Sequence, residues 1–208
     1  MNTDKYFIYP VSTYQETFPS ITPLNGNIET VVKTLTSDDR SYHERLMKND
    51  KLKLNIDLDG ISDLSKFFKD LKSFCKLNKM PVKDADISYT TNNGYKKGGT
   101  SHHVSVPKYN ADSCKQKIFW KAFREKYDYG KEIDHGHLGA GETGKWLRLP
   151  CQVKSKLKYN DNTSYSGTEH NIIRGDMEDF VLKYLPTKSK NIEDILNNME
   201  EVKPKKKE

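Results

Sequence analysis

The chain has 208 residues, of which 34% are hydrophobic and 31% charged, with a formal net charge of +6. This length and composition predict one sizeable or two-lobed globular domain, and no stretch is apolar enough to span a membrane. The N-terminal stretch lacks the apolar centre of a signal peptide, and three widely spaced cysteines match neither a disulfide framework nor a zinc site. We therefore expect an intracellular protein whose mild positive charge suits a polyanionic partner.

Hydrophobic spacing predicts secondary structure along the first half of the chain. Ser62 is a plausible N-cap for the second of two expected helices. The elements expected here are a helix at 28–35, a strand at 52–58, a helix at 64–75, and strands near 84–90 and 101–106.

The second half continues the alternation of helices and strands. We expect a helix at 118–127 capped near Asn110 or Asp112, and a helix at 177–185 that ends before Pro186. The other expected elements are a short strand ending at 134, a strand at 146–154, a helix at 192–199 and a basic tail. Interleaved helices and strands predict an α/β or α+β fold.

The segment GAGETGK, residues 139–145, resembles a phosphate-binding P-loop but departs from that motif in two ways. Trp146 stands where the motif needs a Ser or Thr that binds magnesium, and Pro150 follows where a helix would begin. The glycines are more typical of a loop that joins two strands.

Acidic residues alternate with leucine and isoleucine in the segment LNIDLDG, residues 54–60. Successive side chains of a strand point to opposite faces, so Asp57 and Asp59 share one face. Two carboxylates so close together repel each other unless a cation lies between them. Mg²⁺ or Mn²⁺ is the natural cation, because both prefer oxygen ligands, although a solvated strand face is the plain alternative.

Three further segments carry polar side chains in strand-like patterns. In SHHVSVP, Ser101 and His103 share a face and are both suited to phosphate oxygens, while Asp134 ends a short strand. In WLRLPCQVK, alternation predicts that Arg148, Gln152 and Lys154 lie on one face. Arg offers a bidentate fork for phosphate and Lys a point charge, although an ordinary basic strand would read the same way.

These motifs in this order resemble the archaeo-eukaryotic primase superfamily, above all the primase-polymerase domains of large DNA viruses. In those domains the third motif is an Asp, a loop, then Arg-Leu-Pro and a Lys, and GDMEDFVLKYLP resembles their closing helix. The resemblance covers about residues 50–186. It departs from the pattern after the third Asp, where relatives often carry a Tyr and this chain has HGHL at 135–138.

The resemblance implies a two-lobed catalytic core built around an RNA-recognition-like sheet flanked by helices. The catalytic domain would span residues 1–187, and residues 188–208 would form a terminal helix and a basic tail or linker. The implied metal ligands of a two-metal Mg²⁺ or Mn²⁺ site are Asp57, Asp59 and Asp134. Contacts to the incoming nucleotide are implied for Ser101, His103, Arg148 and Lys154, with His103 also counted as catalytic and Lys97 as a further contact.

The implied activity is that of a DNA primase or primase-polymerase. It would make or extend primers on single-stranded DNA by nucleotidyl transfer from NTPs or dNTPs. The implied partners are single-stranded DNA, the nucleotide and a replicative helicase in cis or in trans. If the protein is viral, the host cytoplasm or nucleus is the expected compartment.

Three other functions remain open from the sequence. One is a non-catalytic, nucleic-acid-binding relative of the same fold. A second is a haloacid-dehalogenase-type phosphohydrolase, because DLDG at 57–60 mimics its nucleophile motif. A third is a replication-initiator nuclease of the paired-histidine type, which would use His135 and His137 with a catalytic Tyr.

Overall fold

The computed structural model describes residues 6–10, 23–37, 41–95, 99–139, 141–152, 154–155, 164–165 and 169–201. The helices are α1 (Ile28–Ser37), α2 (Leu64–Leu77), α3 (Ser113–Tyr127) and α4 (Glu193–Glu201), with 3-10 turns at Asp84–Asp86 and Met177–Phe180. The strands are β1 (Ile8–Pro10), β2 (Tyr42–Leu46), β3 (Lys51–Asp59), β4 (Ser88–Tyr95), β5 (Gly99–Asp112), β6 (Ile133–Asp134), β7 (Lys145–Arg148), β8 (Lys154–Ser155), β9 (Ser164–Tyr165), β10 (Asn171–Arg174) and β11 (Lys190–Asn191).

The strands form a large and a small sheet, together with a two-stranded ribbon of β8 and β9. The large sheet has the order β10-β4-β5-β3-β6, and β11 pairs in parallel with the end of β5. The small sheet has the order β1-β2-β7 and is antiparallel. The mixed α+β fold predicted from the sequence is therefore confirmed.

The main hydrophobic core lies between one face of the large sheet and the helices α2 and α3. Leu54, Ile56 and Leu58 of β3 are fully buried on this face, as their alternation predicts. The helices contribute aromatic rings, among which Phe74 and Phe119 pack edge to face with centroids 5.0 Å apart. Helix α4 lies against α3, and its buried Leu196 joins the same core.

Helix capping follows the expected chemistry at residues close to those predicted. Helix α2 is capped by Asp63, whose Oδ1 accepts the Lys66 N–H at 2.8 Å, so the prediction of Ser62 is wrong by one residue. Helix α3 begins at Ser113 and is capped by Asp112, one of the two residues predicted. Its Oδ1 accepts the Cys114 N–H at 2.8 Å.

A second, smaller core joins the small sheet to α1 and to the 3-10 turn at 177–180. Its buried members are Tyr6, Ile8, Val31, Leu35, Tyr42, Leu149, Met177 and Val181. Strand β2, which pairs on both sides within the small sheet, is absent from the predicted elements. All five of its residues are buried, the polar ones included. Its sequence therefore lacks the alternation of apolar and polar residues from which a strand is predicted.

Glu44 and Lys53 hold the segment after the 3-10 turn between the two sheets. The Glu44 carboxylate accepts the backbone N–H groups of Leu182 and Lys183, both at 2.9 Å. The Lys53 ammonium donates to the carbonyl oxygens of Val181, at 3.0 Å, and Glu178. Burial raises the pKa of Glu44 to about 7 and lowers that of Lys53 to about 8.

Two predicted elements are corrected by the structure. The strand expected at 146–154 ends at Arg148, because Pro150 cannot donate to a ladder and Cys151 has a positive φ of 61°. The helix expected at 177–185 is only a 3-10 turn at 177–180. There, the Asp179 carboxylate accepts the Asp176 N–H at 3.0 Å.

The glycine-rich segment at 139–145 leads into strand β7 and not into a helix, as the rejection of a P-loop predicts. Gly144 has a φ of 72°, and an added Cβ would lie 2.8 Å from the Leu46 carbonyl oxygen. The loop therefore packs directly against the end of β2. None of the helices in the described segments has the length and hydrophobicity that a membrane crossing requires.

Candidate active site

Strand pairing on the large sheet places the predicted acidic residues next to the predicted histidine and serine. Asp57 pairs with His103 on one side and with Asp134 on the other, and Asp59 pairs with Ser101. Directly opposed residues on neighbouring strands project to the same face of a sheet. This face lies opposite the main core, and the three carboxylates, the histidine and the serine therefore share it.

Asp57 occupies the centre of this face and is mostly withdrawn from water. Its side chain is 24% exposed, and burial raises its pKa to about 6. The negative charges of Asp59 and Asp134 act in the same direction, whereas His137 and Arg148 oppose it. A bound cation would favour the ionised form of this carboxylate.

The other two carboxylates already accept hydrogen bonds from neighbouring groups. The Ser101 hydroxyl donates to Asp59 Oδ1 at 2.9 Å, and the Gly136 N–H donates to Asp134 Oδ1 at 2.6 Å. Across the part of the chain that the structure describes, no three His, Cys, Asp or Glu side chains are grouped closely enough to hold one metal ion. In donor type, three carboxylates still suit a hard cation such as Mg²⁺ or Mn²⁺.

His103 has a polar contact at the edge of its ring and a stacking contact on the face of its ring. Its Nε2 lies 3.7 Å from Asp57 Oδ1, and its ring stacks on His170 with centroids 3.9 Å apart and planes at 21°. Thr90 connects the pair, since its hydroxyl accepts the His103 N–H at 3.0 Å and contacts His170 Nδ1 at 3.0 Å. Burial, with the Arg148 charge, lowers the pKa of His103 to about 3.

His170 is a site residue that the sequence did not indicate. It precedes β10, and no spacing or motif relates it to His103. Tertiary structure alone brings the two rings together, because β10 pairs with β4, the neighbour of β5.

Arg148 reaches the acidic face from the small sheet. It ends strand β7, where it pairs with His43, and it lines one small cavity together with Asp57 and His103. Its positive charge opposes the rise in the pKa of Asp57 and adds to the fall that burial causes in the pKa values of His103 and His170. The guanidinium therefore belongs to the same electrostatic environment as the carboxylates.

The side chains of the two lysines predicted for this site lie outside the described residues, and Gln152 is placed differently from its prediction. The backbone of Lys154 lies in the ribbon strand β8, but its side chain is outside the described part, as is the whole of Lys97. Gln152, predicted on the face of Arg148, instead accepts the Tyr42 N–H at 3.2 Å and donates to the Leu35 carbonyl oxygen. Its role is structural, because the strand that would align it with Arg148 ends early.

The two histidines of the loop after β6 point in different directions. His135 Nε2 lies 3.3 Å from a guanidinium nitrogen of Arg124. His137 turns inwards, with Nε2 2.6 Å from Asn55 Oδ1 and Nδ1 3.7 Å from Asp57 Oδ2. They therefore do not converge on one ligand.

An open cleft of about 500 Å³ begins beside Asp59. It lies between the end of β3, the start of α2 and the segment that leads into β6. Its polar lining includes two ammonium groups and several carboxylates, and its lining residues are Asp59, Gly60, Ile61, Ser62, Asp63, Lys66, Tyr129, Lys131 and Glu132. Asp59 is the residue that the acidic face shares with this space, which is of small-molecule size.

Replacing His170 by Phe is expected to weaken the acid sensitivity of the fold. Burial lowers the pKa of His170 to about 2, far below its ordinary 6.5. The unfolded chain therefore binds a proton that the folded chain excludes, and stability falls as pH drops below 6.5. In urea unfolding between pH 6 and 4, the slope for His170→Phe should be smaller by up to about 1.4 kcal/mol per pH unit. An unchanged slope would mean that His170 is protonated in the folded chain.

No protein-family model and no curated protein matches this chain.

Proposed function

We propose that the protein is a metal-dependent, DNA-directed nucleotidyltransferase, a primase or primase-polymerase of the type that its motifs resemble. The observation that carries this proposal is the common sheet face of Asp57, Asp59 and Asp134. His103 lies on the same face, and Arg148 approaches it from the second sheet. Carboxylates for cations beside donors for phosphate form the combination that nucleotidyl transfer requires.

The three carboxylates would supply oxygen ligands to Mg²⁺ or Mn²⁺ ions, with water completing each coordination shell, since among the described residues no three of these side chains are grouped around a single ion. When bound, two such ions activate the attacking 3′-oxygen and stabilise the leaving pyrophosphate. The fit rests on the donor types and on the pKa of Asp57, which is raised first by burial and further by the two neighbouring carboxylates. A cation at this position would relieve that repulsion.

The remaining site residues serve the triphosphate. Arg148 offers a planar fork of N–H donors, Ser101 a hydroxyl and His103 an imidazole. His103 is kept neutral, since its pKa is lowered to about 3, so it would donate one N–H without adding charge. The stacked His170 ring packs against its face, while the Thr90 hydroxyl accepts the backbone N–H of His103 and contacts His170 Nδ1.

The cleft beside Asp59 has room for a nucleotide or for the end of a primer. Its lysines, Lys66 and Lys131, would meet phosphate, and the net charge of +6 favours a nucleic-acid backbone. We accordingly propose single-stranded DNA and an NTP or dNTP as ligands. A replicative helicase in cis or in trans, and an intracellular replication compartment in the cytoplasm or nucleus, belong to the same proposal.

The other two enzyme classes lack support from the geometry. A paired-histidine nuclease needs converging imidazoles, whereas His135 faces Arg124 and His137 faces Asn55. For a phosphohydrolase, ligands of open α/β sheets bind beyond the carboxyl ends of parallel strands. Strand β3 instead runs antiparallel to both of its neighbours, and Asp57 lies within its pairing.

The test is incorporation of labelled nucleotides on single-stranded DNA with Mg²⁺ or Mn²⁺, with and without a primer. The natural chain is compared with the double variant Asp57→Ala plus Asp59→Ala. Product without a primer that disappears in the variant is expected of a primase, and product only with a primer of a polymerase. A folded chain that binds DNA but yields no product would favour the non-catalytic nucleic-acid-binding alternative.

A further inference from the structure

We propose that His137 is an additional metal ligand, which joins Asp57 and gives the centre a nitrogen donor. This inference deepens the proposed function and rests on it for the existence of a metal centre. The three carboxylates provide only oxygen ligands, whereas an imidazole changes which cation the site prefers.

The hydrogen bonds of Asn55 determine which nitrogen of His137 carries the proton. Asn55 Nδ2 donates to the Lys53 carbonyl oxygen at 2.7 Å, so its other amide atom, 2.6 Å from His137 Nε2, is the oxygen. An amide oxygen only accepts hydrogen bonds, so His137 Nε2 is protonated. In the neutral imidazole, Nδ1 is then a bare acceptor with a lone pair.

That lone pair faces the central carboxylate. His137 Nδ1 is buried, has no hydrogen-bond partner among the described residues, and lies 3.7 Å from Asp57 Oδ2. The His137 side chain is 7% exposed, so water does not reach this acceptor freely. Two acceptors facing each other at a buried site repel unless a cation or a proton bridges them.

The separation suits a bridging metal ion. For zinc, bonds to imidazole nitrogen are about 2.0–2.1 Å and bonds to carboxylate oxygen about 2.0–2.2 Å, so a divalent ion of this size can join two such atoms up to roughly 4.3 Å apart. The observed 3.7 Å between His137 Nδ1 and Asp57 Oδ2 falls within this limit. The Nε2–H bond to Asn55 supplies the outer hydrogen bond that metal-bound histidines usually make.

The loop after β6 is shaped to return His137 to the sheet. The Gly136 N–H donates to Asp134 Oδ1, and a Cβ at this glycine would lie 2.8 Å from the same oxygen. Only glycine therefore fits this turn without displacing the Asp134 carboxylate. The turn places Asp134 and His137 on either side of one bend, both directed to the site around Asp57.

A nitrogen ligand shifts the metal preference. Imidazole suits first-row transition metals, whereas Mg²⁺ prefers oxygen ligands and water. Mn²⁺ accepts both donor types and is one of the two ions proposed for this centre. The geometry therefore points to preferential binding of Mn²⁺ over Mg²⁺ through His137.

The test is pulsed electron paramagnetic resonance of Mn²⁺ bound to the full chain without nucleotide or DNA. Coupling to an imidazole ¹⁴N nucleus is expected in the natural chain. It should disappear in His137→Ala and persist in the matched control His135→Ala, which alters the same loop. It should also persist in His103→Ala, which tests the other imidazole near Asp57.

Titration should show Mn²⁺ affinity falling about 10-fold or more in His137→Ala, with Mg²⁺ affinity unchanged.

Oxygen-only coordination in the natural chain, no Mn²⁺ binding, or ¹⁴N coupling that survives in folded His137→Ala would each overturn the inference. The spectrum of the natural chain remains decisive if the variant does not fold. A nitrogen-ligated Mn²⁺ with no nucleotide incorporation would refute the proposed activity but not the ligand. Incorporation with oxygen-only coordination would refute the ligand alone.

Discussion

The substitution Asp57→Asn is expected to lower metal-dependent nucleotide incorporation by about 10³-fold or more, and at the same time to stabilise the metal-free fold. Activity falls because an amide cannot hold the cation as a carboxylate does. Stability rises because the asparagine side chain carries no charge at a position where burial and two neighbouring carboxylates disfavour one. A residue that served only the structure would not show these opposite effects.

The stability gain has a defined pH dependence. The pKa of Asp57 is raised from 3.8 to about 6, so the folded chain holds this proton more tightly than the unfolded chain. Stability of the natural chain therefore falls as pH rises from about 4 to 6, whereas Asn does not titrate. The gain of Asp57→Asn should be near zero below pH 4 and on the order of 1–3 kcal/mol above pH 6.

Urea unfolding without metal at pH 4 and pH 7.5, beside the incorporation assay, measures both effects. The matched control is Asp128→Asn, an isosteric change at the left-handed residue that ends α3, where Asn is tolerated. It should alter neither activity nor stability appreciably. Retained activity in Asp57→Asn would contradict the proposed metal role. A loss of stability at pH 7.5 would show that the carboxylate is structurally required.

Glu44→Ala is expected to reduce the free energy of unfolding by about 3–5 kcal/mol, the largest stability effect that we predict. The substitution leaves the N–H groups of Leu182 and Lys183 without their acceptor, and the Leu182 group is buried. It also removes the negative charge near the buried Lys53 ammonium. The segment between the two sheets loses its main polar attachment.

Glu44→Gln is the matched comparison, because its amide oxygen still accepts one of the two hydrogen bonds. Glu44→Gln should lower the free energy of unfolding clearly less than Glu44→Ala does, when both are measured by urea unfolding and the m-value is unchanged. The pKa of Glu44 is raised to about 7, so stability of the natural chain falls as pH rises from 4.5 to 7, and Gln removes that fall. A loss below about 1 kcal/mol in Glu44→Ala would mean that water replaces the carboxylate.

The elements that sequence patterns identified best are those with a long, regular apolar spacing. Strand β3 and helix α2 each present one apolar face to the main core, so alternation and 3.6-residue periodicity place them almost to the residue. The same reasoning failed for strand β2, in which polar and apolar residues are equally buried between neighbouring elements. It also failed at 177–185, where apolar spacing is helical but the chain makes one 3-10 turn.

The sequence by itself determined that Asp57 and Asp59 share a face of a strand, because side-chain alternation is a local property of extended backbone. It likewise determined the shared face of Ser101 and His103. Only the tertiary structure decided which strands are neighbours, and thereby set His103 and Asp134 on either side of Asp57. Strand pairing depends on contacts between distant segments, which local periodicity does not encode.

The same limit explains why distant segments complete the site in ways that sequence patterns did not predict. Arg148 was expected from its residue type, but its approach from a second sheet was not. No motif related His170 to His103, and His137 was considered only together with His135, yet the fold stacks His170 on His103 and brings His137 close to Asp57. Residue types and alternation thus determined which acidic and polar side chains share a strand face, whereas long-range packing decided the pKa values, the ring stacking and the approach of His137 to Asp57.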